Sequence, residues 1–357
     1  MTRAYKILLT VAAIGVTLIA WRFLVGLGTA TAMSDGYPLG LWIVFDVVTG
    51  TALACGGYAL ALLVYIFNKG EYHPLVRPAI LTSALGYSIA GLSVMIDVGR
   101  PWLAWKLPIK FWTWNLNSVL LEVALCIMAY VVVLWIELSP ALWVRARAFL
   151  GKALIWIIAL GMLLPTMHQS SLGSLMMLAG PRLHPLWLSP FLPLFYLITC
   201  VAMGFAVVVA ESAFSSRAFG HRPATELLAN IGRFAAFGGL LFVAARFADL
   251  GWRGVPIRLD RYGVMFSIET ILFIAAFLMV LRRRQSLGSL LRVAMLVAVA
   301  GALYRFDTFL VAFDPGPGWS YFPSVPEQLI TVGLVAAEIA IYIAVVKRFP
   351  ILEGERA

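Results

Sequence analysis

Charge is scarce in this sequence. Asp, Glu, Lys and Arg make up 12% of its 357 residues, against 62% hydrophobic ones. Soluble domains carry roughly twice that share of charge. Too little polar surface is left to cover a water-soluble particle, so the solvent must be largely lipid. Cysteine is scarcer still. Cys55, Cys126 and Cys200 each sit inside an apolar run, with no C-x-x-C spacing, which argues against an iron–sulfur cluster held by this chain. They read as small buried residues. Histidine is limited to His73, His168, His184 and His221. A haem between helices commonly takes two axial histidines, and no two of these fall where they would face one another. The expectation is a chain without haem.

What is present is long apolar runs. Spanning a bilayer takes about 20 residues. Runs of that order lie at 5–27, 39–67, 76–97, 115–137, 149–169, 190–212, 227–249, 262–281, 289–311 and 327–347. The fold class is therefore an all-α polytopic membrane protein of about ten helices, a single integral membrane domain over 1–357. The first run carries Arg22 and is long for a secretory signal, so it is read as a retained helix. Ile96-Asp-Val-Gly99 recurs as Ala248-Asp-Leu-Gly251. This suggests a pseudo-repeat of 39–169 and 190–311, with helices 2–5 and 6–9 as two four-helix bundles in one orientation and helices 1 and 10 flanking them.

Net charge is +10. No nucleic-acid module is present, and nucleic acid is not expected as a partner. The basic residues instead set topology. Sixteen of the Lys and Arg fall in loops on one side, including Lys69, Arg77, Arg145 and Arg217. Eight fall on the other: Arg100, Lys106, Lys110, Arg182, Arg253, Arg258, Arg261 and Arg305. The richer side is cytoplasmic by the positive-inside rule, with both termini on it. The opposite loops are rich in Pro, Gly and Trp, as in Pro101-Trp-Leu-Ala-Trp105 and Asp314-Pro-Gly-Pro-Gly-Trp319. They read equally as interfacial anchors or as a docking surface.

Ionisable residues inside a membrane are functional candidates by default. Asp46, Glu122, Glu269 and Glu338 fall inside apolar runs, and Glu211 falls at the end of the sixth. Arg246 and Asp249, three apart, are placed to pair with each other, whereas Asp46, Glu122 and Glu269 have no local partner. The pattern ends the fifth helix at His168 after Pro165, beside Gln169, Ser170 and Ser171 and near Asn115 and Asn117. A histidine there suits proton exchange with a quinone oxygen. Two other readings are open. Intramembrane acids in a repeated bundle also mark secondary transporters, and an inert membrane anchor with paired acids is the third.

At these residues the chain resembles a known family. Ser34-Asp-Gly-Tyr-Pro-Leu-Gly-Leu-Trp-Ile43, Tyr72-His-Pro-Leu-Val-Arg-Pro78, Ile96-Asp-Val-Gly-Arg100, Pro165-Thr-Met-His-Gln-Ser-Ser-Leu-Gly-Ser-Leu175, His184-Pro-Leu-Trp187 and Tyr321-Phe-Pro323 resemble the NrfD/polysulfide-reductase (PsrC) superfamily of membrane subunits, most of all its HybB, hydrogenase-2-type branch. The resemblance implies a quinone-reactive subunit of a respiratory oxidoreductase in the bacterial inner membrane. It implies no redox cofactor in this chain, menaquinone as substrate, and proton translocation as an associated activity. The implied partners are a periplasmic ferredoxin-like four-cluster iron–sulfur subunit and the large and small subunits of a nickel–iron hydrogenase. The residues it implies are Glu122, His168 and Glu211 for the chemistry and the proton path. For the quinone they are Tyr87 and His168, to which Asn115 and Asp249 are added.

Overall fold

The computed structural model describes residues 2–220, 224–282 and 285–352. His221, weighed above as a haem ligand, and Arg222, Arg283, Arg284 and Arg356, among the sixteen basic residues counted for topology, lie outside the described residues. Ten helices among the described residues are long and apolar enough to cross a bilayer. They are α1 (Arg3–Val25), α2 (Ile43–Ile66), α3 (Gly70–Asp97), α4 (Val119–Leu142), α5 (Gly151–Met177), α6 (Leu192–Phe219), α7 (Thr225–Arg253), α8 (Arg261–Val280), α9 (Leu287–Val311) and α10 (Val325–Arg348). The chain is an all-helical, multi-pass membrane protein. Ten alternating spans put the start of α1 and the end of α10 at one face, called here the terminal end; the Trp-rich loops lie at the far end.

Packing divides the helices into three groups. Helix α3 lies against α2 and α4, and α4 against α5; α7 lies against α6 and α8, and α9 against α6 and α8. Helix α6 joins the two sets by contacting both α2 and α5. Its approach to α2 requires a residue without a side chain, because a Cβ on Gly204 would fall 2.5 Å from the Cys55 carbonyl oxygen. Helices α1 and α10 pair with each other and rest on α3. Their crossing is equally close, with a Cβ on Gly15 falling 2.8 Å from Gly333 Cα. At the far end His184 N–H donates to the Ala312 carbonyl (2.8 Å) and Asp314 N–H to that of Arg182 (2.7 Å), tying two loops together.

Three helices differ from the expectation in ways that move candidate residues. Helix α5 does not end at His168 but continues to Met177 through Pro165. Its polar stretch stays helical because the hydroxyls bond back one turn: Ser170 to Thr166 O (2.9 Å), Ser171 to Met167 O (2.7 Å), Ser174 to Ser170 O (3.2 Å). Helix α6 continues past Glu211 to Phe219, closed by Gly220 in the left-handed region (φ 71°). Helix α7 continues past Asp249 to Arg253. Helix α2 carries two π-helical stretches, Ile43–Thr49 and Leu62–Ile66, which hydropathy alone does not reveal.

Candidate functional site

Small residues build one fully buried polar cluster. The stretch Gly50-Thr-Ala-Leu-Ala-Cys-Gly-Gly57 of α2 lets α3, α5 and α6 approach closely. Thr51, Tyr87, His168 and Gln169 meet there, each completely buried. Thr51 Oγ1 donates to the Val47 carbonyl (2.5 Å), so its hydroxyl hydrogen is committed. It can then only accept from its other two neighbours, Gln169 Nε2 at 3.0 Å and His168 Nε2 at 3.3 Å. This assigns the His168 proton to Nε2 and leaves Nδ1 with a bare lone pair. Nδ1 and Gln169 Oε1 are both buried acceptors without a donor.

Tyr87 closes the cluster on the α3 side. Its hydroxyl lies 3.4 Å from Gln169 Nε2 and 3.7 Å from Cys55 Sγ. Its ring meets those of His168 at 5.6 Å and Tyr130 at 4.5 Å, both edge-on. Arg305, fully buried, donates to the carbonyls of Val48 (2.9 Å, from the π-helical stretch of α2) and Tyr196 (2.8 Å, in α6). It lies inside the bundle rather than among the loop residues where the topology count put it. Thr51, Cys55, Tyr130 and Arg305 are therefore neighbours that sequence reasoning missed. The run of small residues at 50–57 was the available signal.

Glu122 does not join this cluster. Ser118 caps α4, its Oγ accepting from Leu121 N–H (3.3 Å), and this puts Glu122 in the first turn at the far end, half-buried. Tyr130, which contacts Tyr87, is eight residues further in, about 12 Å along the axis. Glu122 thus stands near the far end of α4, while His168, expected at the end of its helix, lies deeper, nine residues before the end of α5. Asn115 is exposed in the loop before α4 and lines a different cavity.

Two other assignments change. Asp249 pairs with Arg253, not with Arg246 (Nη2 to Oδ2, 2.7 Å). Arg246 pairs instead with Glu269, which therefore has a partner after all; Trp187 Nε1 donates to the other Glu269 oxygen (3.1 Å). The Arg246 guanidinium sits over the rings of Phe266 (4.1 Å) and Tyr304 (5.1 Å). Neighbouring Asp307 is buried with Oδ2 unpartnered. Asp46 accepts from Ser93 Oγ (2.9 Å).

Glu211 is inside the bundle, eight residues before the end of α6, about 12 Å from the terminal end. Tyr342 of α10 donates its hydroxyl to Glu211 Oε1 (2.5 Å). Both line a cavity of about 470 Å³ with Thr82, Ser215 and Glu338. Glu338 in turn abuts α3, its Oε1 3.3 Å from where a Gly86 Cβ would stand, one residue from Tyr87.

The chain is 43% identical over 94% of its length to the probable Ni/Fe-hydrogenase 2 b-type cytochrome subunit of Escherichia coli, covering 88% of that protein. It is 34% identical over 95% of its length to a protein of Nitratidesulfovibrio vulgaris, covering 91% of it. It is also 29% identical over 64% of its length to the menaquinone reductase integral membrane subunit of the same bacterium, covering 58% of that protein. No family model matches the chain. The first relative corrects one expectation: its name describes a b-type cytochrome subunit, which overturns the reading of a chain without haem. That reading rested on counting histidines in pairs. Among the described residues His168 stands against Thr51 and Tyr87, and His184 stacks on Tyr262 at 4.1 Å. Neither imidazole has a second one against it, so these side chains do not fit a paired-histidine haem. With its ten spans and these relatives, the chain belongs to the NrfD/polysulfide-reductase superfamily of integral membrane subunits of respiratory oxidoreductases.

Proposed function

We propose that this subunit exchanges electrons between a periplasmic iron–sulfur protein and menaquinone, and that His168 handles the quinone's proton. The observation that carries the reading is the pair of buried acceptors without a donor, His168 Nδ1 and Gln169 Oε1. Leaving such an atom unpaired costs about 1–3 kcal/mol, and a quinol hydroxyl supplies the donor each lacks. Reduction of a quinone consumes two electrons and two protons. In that direction a protonated His168 donates from Nδ1 to a quinone oxygen and is left in the neutral form described above. Thr51 keeps the ring oriented through Nε2, and Tyr87 packs against its edge. The name of the menaquinone reductase relative supports the substrate, and that of the hydrogenase 2 relative supports a nickel–iron hydrogenase as the electron source.

Protons reach the cluster, in this reading, from the terminal end. Glu211 with Tyr342 forms the inner mouth, and Glu338 connects their cavity to α3 beside Tyr87. The membrane is the bacterial inner membrane with both termini cytoplasmic, a placement supported by the basic bias of the loops at the terminal end. The decisive experiment uses the assembled complex in proteoliposomes with hydrogen as donor. His168→Ala should abolish menaquinone reduction while hydrogen-dependent reduction of a soluble dye persists. Glu211→Gln should lower menaquinone reduction and membrane-potential generation together while hydrogen-dependent dye reduction persists. Menaquinone reduction at the parental rate by an assembled His168→Ala complex overturns the site; unchanged potential in Glu211→Gln overturns the path.

A further inference from the structure

The segment between α3 and α4 concentrates positive charge at the far end without an acid beside it. Residues 98–118 contain Arg100, Lys106 and Lys110 and no acid, whereas the other basic far-end stretch, Arg253, Arg258 and Arg261, carries Asp260 among its arginines. The same segment holds Trp102, Trp105, Phe111 and Trp112, all exposed. Short helical turns at Pro101–Leu103, Lys106–Ile109 and Phe111–Thr113 fold it back on itself, clipped by Trp114 Nε1 donating to the Leu107 carbonyl (2.8 Å). The fold encloses a cavity of about 420 Å³ whose lining includes Lys106, Lys110, Thr113, Asn115, Leu107 and Leu121.

Neither lysine has a carboxylate within ion-pair distance among the described residues. Glu122, one residue past Leu121, is not part of the lining. The lining thus holds two lysines and an amide among leucines, with Lys106 Nζ 5.8 Å from the Trp105 ring beside it. Leu116, in the loop just before α4, and Leu120, in its first turn, are both exposed beside it. Exposed tryptophans place such a segment at the depth of lipid headgroups. Cationic pockets at this depth suit anionic headgroups, each Lys near the surface contributing about 1 kcal/mol.

We infer that this cavity is a binding site for one anionic phospholipid, its phosphate between Lys106 and Lys110 and its acyl chains running down over Leu116 and Leu120. A protein partner would recognise the same charge. The lipid is favoured because the lysines are framed by exposed aromatic side chains and by leucines that continue, exposed, into the first turn of α4. The site is separate from the His168 cluster, so it stands or falls independently of the proposed quinone chemistry.

The test is lipid retention by the purified complex, read by native mass spectrometry, with binding in nanodiscs of phosphatidylglycerol, cardiolipin or phosphatidylcholine. One anionic lipid should remain bound and should not be displaced by phosphatidylcholine or by inorganic phosphate. Lys106→Gln/Lys110→Gln should weaken its binding about 30-fold. Lys106→Arg/Lys110→Arg should retain it, which separates loss of charge from misfolding, and Lys69→Gln at the terminal end should have no effect. Equal retention of phosphatidylcholine, displacement by inorganic phosphate, or undiminished lipid in the glutamine variant overturns the proposal. Loss of co-purifying subunits with lipid retention unchanged would assign the surface to a protein partner instead and overturn it equally.

Discussion

Two buried polar centres differ in what they leave unmet. The Arg246–Glu269 centre, among α7, α8 and the loop before α6, is charged, and both oxygens of Glu269 have donors. The His168–Gln169 centre, among α2, α3 and α5, holds no ion pair among the described residues and leaves two acceptors bare, its cationic neighbour Arg305 being satisfied by the Val48 and Tyr196 carbonyls. Charge inside a membrane protein is therefore a poor guide to function by itself. A satisfied ion pair fixes packing, whereas neutral groups with an unmet hydrogen bond point to something that arrives. Asp307, beside Glu269, keeps one unpartnered oxygen, so the contrast is drawn between the two pairs and not between whole halves of the molecule.

Breaking the ion pair should have the largest effect. Glu269→Ala leaves Arg246 uncompensated among four aromatic rings, and removing one partner of a buried pair costs about 3–5 kcal/mol. The subunit should fail to accumulate in membranes, as measured by immunoblot and thermal unfolding in detergent. His168→Ala should do the reverse: it should leave the folding midpoint within a few degrees of parental yet lower menaquinone turnover by a factor of about 10² or more, the scale of a lost general acid–base group. If Glu269→Ala assembles normally and loses only turnover, the two centres have been assigned the wrong way round.

Smaller changes sharpen the same contrast. Tyr87→Phe removes a hydroxyl that contacts Gln169 and Cys55 but keeps the ring edge against His168. At about 1 kcal/mol for one hydrogen bond, turnover should fall by less than tenfold, measured in the same proteoliposome assay. Asp260 offers the smallest effect. It is exposed at the start of α8, and accepting from the Gly263 N–H (2.8 Å) holds its carboxyl below the usual range. A depressed carboxylate contributes above its unfolded pKa and loses that contribution as pH falls through the folded value. Asp260→Asn should lower the stability plateau at neutral pH slightly, flatten the acid limb and leave turnover unchanged, as read from thermal unfolding in detergent across the acid range.

Hydropathy made most of the fold legible, because span length and apolarity are local properties. Helix ends near polar residues were not. The serines after His168 and the residues after Glu211 read as boundaries, yet hydroxyl-to-carbonyl bonds carry α5 on to Met177 and a left-handed Gly220 closes α6 only after Phe219. His168 and Tyr87 were legible as candidates, and the structure brings them together. Glu122 and Asn115 are at the far end, apart from them, and Asp249 is engaged by Arg253. Pairing depends on which helices touch, and that is written in small residues such as those at 50–57 and Gly204 rather than in the charged residues themselves. Arg305 looked like a loop cation because it stands near the end of an apolar run, but its guanidinium is satisfied by carbonyls of α2 and α6.

The central claim is that His168 Nδ1 is the acceptor that a quinol hydroxyl fills. Solid-state NMR of the complex with ¹⁵N-labelled histidine tests it most directly. Without quinone, His168 should show a protonated Nε2 and a bare Nδ1; addition of menaquinol should shift Nδ1 upfield as it takes a hydrogen bond, with Nε2 unmoved. An Nδ1 resonance that is already protonated, or that stays unchanged at saturating menaquinol, would contradict the assignment.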